Sequence, residues 1–102
     1  MIIADEIGLP AVLEQTAEEC AELAHACLKL ARILRKENPT PAQKIDVLEK
    51  IEEEAADVDV CIEALTQADV IAIDGLCYRA NDKFERWKNR INEMKNNKEK
   101  EN

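Results

Sequence analysis

Turn-forming residues are scarce in this chain. Two glycines and three prolines stand among 102 residues, too few for the closely spaced turns of a sandwich or barrel. Aromatics make up only 3%, so a core must be built mostly from alanine, leucine and isoleucine, residues that suit helices with short connections. Long apolar runs are missing too: none approaches the roughly eighteen apolar residues of a membrane span. The opening MIIADEIGLP has neither a basic leader nor an extended apolar region, which leads us to expect a cytoplasmic protein with no membrane association. No basic patch with interleaved aromatics appears, and a formal net charge of −8 repels nucleic-acid backbones, though a small anion bridged by metal is compatible with it. The four cysteines, Cys20, Cys27, Cys61 and Cys77, form no C-x-x-C pair. All four fall on helical seam positions, where the expectation is small buried residues in a reducing compartment.

What is present is alternating apolar and charged sequence, 46% hydrophobic and 35% charged, at helical spacing. The fold class expected is all-α. Punctuation is clear once, at Glu37-Asn38-Pro39-Thr40-Pro41, where prolines stop one helix and Thr40 can cap the next, with Pro41 in its first turn and Gln43 completing a Thr-x-x-Gln capping box. A softer break falls between Thr66 and Asp69, with Asp69 as N-cap of a third helix. The expected helices are therefore about 10–36, 41–67 and 70–95, forming one domain over 1–95. The tail 96–102, NNKEKEN, is polar and expected to fray. A chain of this size buries a marginal core by itself, so a bundle of three long helices completed by oligomerisation, as a homo-dimer or homo-tetramer, is the architecture anticipated.

Each long helix has a face to bury. The first carries two seams, Leu13, Ala17, Cys20, Ala24, Cys27, Ala31, Leu34 and, beside it, Thr16, Glu19, Leu23, Ala26, Leu30, Ile33. The third carries Val70, Ile73, Cys77, Ala80, Phe84, Trp87, Ile91, Met94, with Trp87 read as core. The second, within VLEKIEEEAADVDVCIEAL, reads Val47, Ile51, Glu54, Val58, Cys61, Leu65. Glu49, Glu52, Asp59 and Glu63 lie away from that seam and behave as a solvated face. Glu54 does not, and neither does Glu19.

A carboxylate in a seam must be paired, protonated or bound to a cation, because a buried uncompensated charge is strongly unfavourable. Each misplaced glutamate has another acid three residues on, Glu22 and Asp57, projecting from the same side of its helix. Two such pairs on facing helices would gather four acids in a partly buried space, for which a hard, oxygen-seeking divalent ion, Mg²⁺ or Mn²⁺, is the natural partner. A di-iron centre of Glu-x-x-His type is disfavoured: His25, the one histidine, lies away from Glu19 and is assigned to the surface.

These residues resemble a known family. Glu18-Glu19-Cys20-Ala21-Glu22 matches the E-E-x-x-E motif, and Glu54-Ala55-Ala56-Asp57 the E-x-x-D motif, of the MazG-like all-α nucleoside triphosphate pyrophosphohydrolases, whose superfamily includes dimeric dUTPases and phosphoribosyl-ATP pyrophosphohydrolase. Asn81-Asp82-Lys83-Phe84-Glu85-Arg86 is similar to the family's A-N-x-K-F-E-R run. The resemblance implies Mg²⁺-dependent hydrolysis of a nucleoside triphosphate to monophosphate and pyrophosphate. It implies Glu19, Glu22, Glu54 and Asp57 as metal ligands, Glu18 and Glu19 as catalytic acids, and Asn81, Lys83 and Arg86 as groups facing the phosphates or sugar. The spacer from Leu23 to Glu53 is longer than in compact relatives, and Trp87 stands where a second basic residue is common. Two other readings stand beside this one: a helical oligomerisation or regulatory module with a structural cation site, and the phosphoribosyl-ATP enzyme of histidine biosynthesis.

Overall fold

The computed structural model describes residues 1–36 and 43–101. Among them are four α-helices and no strand, α1 (Ile3–Ile7), α2 (Leu9–Arg35), α3 (Lys44–Gln67) and α4 (Ile73–Glu101). The all-α expectation holds, with one short helix more than the three anticipated. The chain divides into two compact units, Met1–Val70 and Ile71–Asn102.

The first unit is a helical hairpin of α2 and α3 with α1 packed against both. Gly8 makes the elbow between α1 and α2. Its φ of 91° lies where only glycine is comfortable, its N–H closes α1 on the Ala4 carbonyl at 2.9 Å, and its own carbonyl accepts from Val12 at 3.3 Å. Pro10 then occupies the first turn of α2, where a missing N–H goes unnoticed. Ile3, Ile7, Val12 and Gln15 line one hollow with Val60, Cys61 and Ala64, while Ala26 lines another with Lys50 and Glu54. The start of α2 thus lies by the end of α3, and the helices run antiparallel.

The α3 seam is buried as its spacing demands: Val47, Cys61 and Leu65 are buried with Glu54 among them, and Ile51 and Val58 are half-buried. On α2 only the second seam is covered. Thr16, Glu19, Leu23, Leu30 and Ile33 are half-buried and Ala26 is buried, whereas Leu13, Ala17, Cys20, Ala24, Cys27 and Leu34 are exposed. One neighbouring helix covers one stripe, so Cys20 and Cys27 lie in the open and only Cys61 is buried. The expectation of four buried cysteines is corrected accordingly.

Helix ends differ from expectation in both α3 and α4. Gln43 is the N-cap of α3, extended and without a side-chain capping bond; Thr40 and Pro41 of the expected capping box lie outside the described residues. Asp69 is not the N-cap of α4. It adopts φ 59° just past α3, where its N–H meets the Thr66 carbonyl at 3.1 Å and the Val70 N–H meets the Leu65 carbonyl at 3.0 Å. This pair of bonds is a Schellman ending, with aspartate in the left-handed position that glycine usually takes.

The second unit is a single long helix. No residue of α4 is buried, and Phe84, Trp87, Ile91 and Met94, together with Cys77, are exposed. Trp87, at 60% exposure, is therefore not a core residue of the chain. The helix extends to Glu101, past the expected end near 95. Alternating charges at helical spacing, Arg86 to Asp82 at 3.1 Å and Lys88 to Glu85 at 2.9 Å, support it locally. No described helix is long and apolar enough to cross a membrane.

Candidate metal centre

Glu54 is 2% exposed and is the largest fully buried side chain. It occupies an ordinary seam position in the middle of α3, and the antiparallel register sets it opposite the middle of α2, where Glu19 and Glu22 stand. One carboxylate oxygen from each of Glu19, Glu22 and Glu54 lies within 4.8 Å of the others.

Each of the two inward carboxylates is served on one oxygen. Lys50 Nζ lies 2.7 Å from Glu54 Oε1, and Gln15 Nε2 donates to Glu19 Oε1 at 2.7 Å. The other oxygens, Glu19 Oε2 and Glu54 Oε2, are buried and have no hydrogen-bond partner among the described residues. Buried polar atoms nearly always have partners, and a carboxylate oxygen has only lone pairs to offer. Two orphaned oxygens and a third carboxylate alongside fit a hard divalent cation with oxygen ligands.

The electrostatics show the strain of three acids together. The Lys50 ammonium holds the Glu54 carboxyl below the usual range, against the opposing effect of burial. Glu22 is pushed above its usual range, first because only its protonated form could donate to the neighbouring Glu54 and then by repulsion from the Glu54 and Glu19 charges. Lys50 is itself pushed up, through its bond to Glu54 and that carboxylate's charge. A site that binds a proton in place of a cation behaves this way.

The structure brings together three of the four anticipated ligands. Asp57 is exposed and lies outside the group, although its three-residue step from Glu54 is the same as that from Glu19 to Glu22. Glu18 is exposed beside Glu19. Asn81, Lys83 and Arg86 are exposed on α4, in the second unit, where Arg86 is tied to Asp82 and shares a shallow depression with Lys83, Trp87 and Arg90.

Three residues beside the carboxylates, Lys50, Gln15 and Lys29, were not singled out by sequence reasoning. Lys50 and Gln15 each stand four positions before the glutamate they serve, a spacing visible in the sequence. His25 and Lys29 line a cleft of about 320 Å³ with Glu22, Ala26, Lys50 and Glu54. His25 is exposed, as expected, yet it borders the carboxylates rather than facing away from them. Comparison with protein-family models, curated proteins and solved structures returns no match.

Proposed function

We propose that the chain is a divalent-metal-dependent nucleoside triphosphate pyrophosphohydrolase that releases pyrophosphate and a monophosphate, with Mg²⁺ the expected ion and Mn²⁺ an acceptable substitute. The observation that carries this reading is the fully buried Glu54, whose free Oε2 stands with half-buried Glu19 and exposed Glu22 between α2 and α3. The three ordered motifs of the sequence supply the reaction class.

Glu19, Glu22 and Glu54 hold the ion; Asp57, exposed on α3 outside this group, is a fourth ligand on the strength of the motif alone. When bound, such an ion polarises a phosphoryl group and makes its water more acidic. Glu19 is fixed by Gln15, so its free oxygen is held ready for the ion or for water. Glu18, next to it, is the acid assigned to orienting water. Asn81, Lys83 and Arg86 are the groups assigned to phosphate and sugar. The open apolar faces of α2 and α4 are assigned to contacts between copies, in a dimer or tetramer, and the setting is cytoplasmic.

The test is pyrophosphate release from each ribo- and deoxyribonucleoside triphosphate with Mg²⁺ and again with Mn²⁺. Activity should appear on part of the panel and vanish with chelator; silence across the whole panel with both ions rejects an enzyme. The second reading, a regulatory or oligomerisation module with a structural cation, is favoured by the wholly exposed seam of α4. It predicts metal binding with no turnover.

A further inference from the structure

The ammonium of Lys50 lies where cationic charge is needed. It touches Glu54 Oε1 at 2.7 Å, yet the lysine side chain is 59% exposed against 2% for Glu54, so the charge is supplied to a buried carboxylate from the solvent side. We propose that Lys50 is the resident counter-ion of this site, occupying Glu54 until a divalent metal displaces it. The inference rests on the metal-centre reading above.

Three carboxylates within 4.8 Å repel one another, and one lysine on the buried member offsets part of that repulsion and keeps the site assembled. A metal bound at the free Oε2 of Glu54 would lie within a few ångströms of the ammonium on Oε1 of the same group. At that distance two cations repel strongly even with partial screening. Glu54 can retain one of them at full strength, and a divalent ion shared with Glu19 and Glu22 outcompetes a single charge. Lys50 has somewhere to go: its flexible stem already borders the cleft that it lines with His25 and Lys29.

An ordinary structural ion pair and a displaceable counter-ion make opposite predictions for metal affinity. Removing a merely structural partner loosens Glu54 and leaves affinity equal or lower. Removing a competing cation raises it. The test is calorimetric titration of the full chain with MnCl₂, alongside thermal melting with and without the ion, for the native sequence, Lys50→Met, Lys50→Gln and Lys29→Met. Lys50→Gln keeps a donor to Glu54 without its charge, so it guards against a Lys50→Met variant that does not fold.

The expected result is Mn²⁺ binding about tenfold tighter in both Lys50 variants, the order of effect for removing one nearby charge, with a lower melting temperature in chelator and a larger rise on adding Mn²⁺. Lys29→Met, which loses the same charge from the same cleft without touching Glu54, should change affinity by less than about twofold. Equal or weaker binding in folded Lys50 variants overturns the counter-ion proposal and leaves the metal centre standing. So does tightening by Lys29→Met as large as that by Lys50→Met. If neither the native chain nor any variant binds Mn²⁺, the metal-centre reading itself falls.

Discussion

Glu54 takes a position that its neighbours Ile51 and Val58 mark as apolar, and the structure buries it more completely than any other large side chain. A buried carboxylate opposes folding unless its charge is compensated, and Lys50 compensates Glu54 on one oxygen only. Replacing it with leucine removes a charge from the seam, relieves repulsion on Glu19 and Glu22, and strands no partner, because Lys50 remains in solvent. We expect Glu54→Leu to melt at the same temperature or higher in chelator, to lose the stabilisation by Mn²⁺, and to lose turnover. A marked fall in melting temperature would identify Glu54 as a member of a structural ion pair. The contrast is Leu65→Ala, which removes a buried side chain of the same seam and should cost roughly 2–3 kcal/mol in a denaturant titration. At this scale the sequence was already informative: the seam anomaly singled out Glu54 and Glu19 from among many acids. It also placed Asp57 in the group, where the structure places Lys50 instead, because side-chain reach and the exact facing angle are not contained in a three-residue spacing.

The helices themselves were legible from period and punctuation, and their ends less so. Asp69 has the composition of an N-cap, and a sequence offers no way to see that the preceding helix needs a left-handed residue at that point. The backbone of α3 closes on Asp69 and Val70 in a Schellman ending, which glycine would make with less strain. Asp69→Gly should therefore stabilise the chain by about 0.5–1 kcal/mol, measured by the midpoint of urea unfolding at unchanged slope. Destabilisation would mean that the aspartate side chain contributes more than its backbone strain takes away. Elements also differ in how many of their faces find a neighbour. Helix α2 has two apolar seams, and α3 covers the one containing Glu19 and Ala26, leaving Cys20 and Cys27 exposed. In dilute protein these two thiols should react with a thiol reagent much faster than Cys61. If their face is the contact between copies, their labelling slows as protein concentration rises while that of Cys61 stays slow throughout.

Among the described residues of the whole molecule, the buried apolar set is small: Val12, Ala26, Val47, Cys61, Ala64 and Leu65. Such a core is thin for a chain of this length, while Leu13, Leu34, Phe84, Trp87, Ile91 and Met94 stand exposed. Mass action then links stability to association. The melting temperature should climb with protein concentration, and light scattering should give a mass of two or four chains at concentrations where it levels off. A concentration-independent melt at the mass of one chain would remove the assembly from the proposal.

By itself the sequence determined the helical class, the stripe that each long helix offers, and the two glutamates standing where leucine would be ordinary. These follow from spacing along one chain, since the period of a helix fixes which residues share a face. Only the tertiary structure decided which stripe α3 covers, that Glu22 joins Glu19 and Glu54 while Asp57 stays in solvent, and that Lys50 already touches the buried carboxylate of Glu54. Those outcomes depend on the register and facing angle of two antiparallel helices, quantities set by the packing of small residues such as Ala26 and Ala64 and invisible in either helix alone.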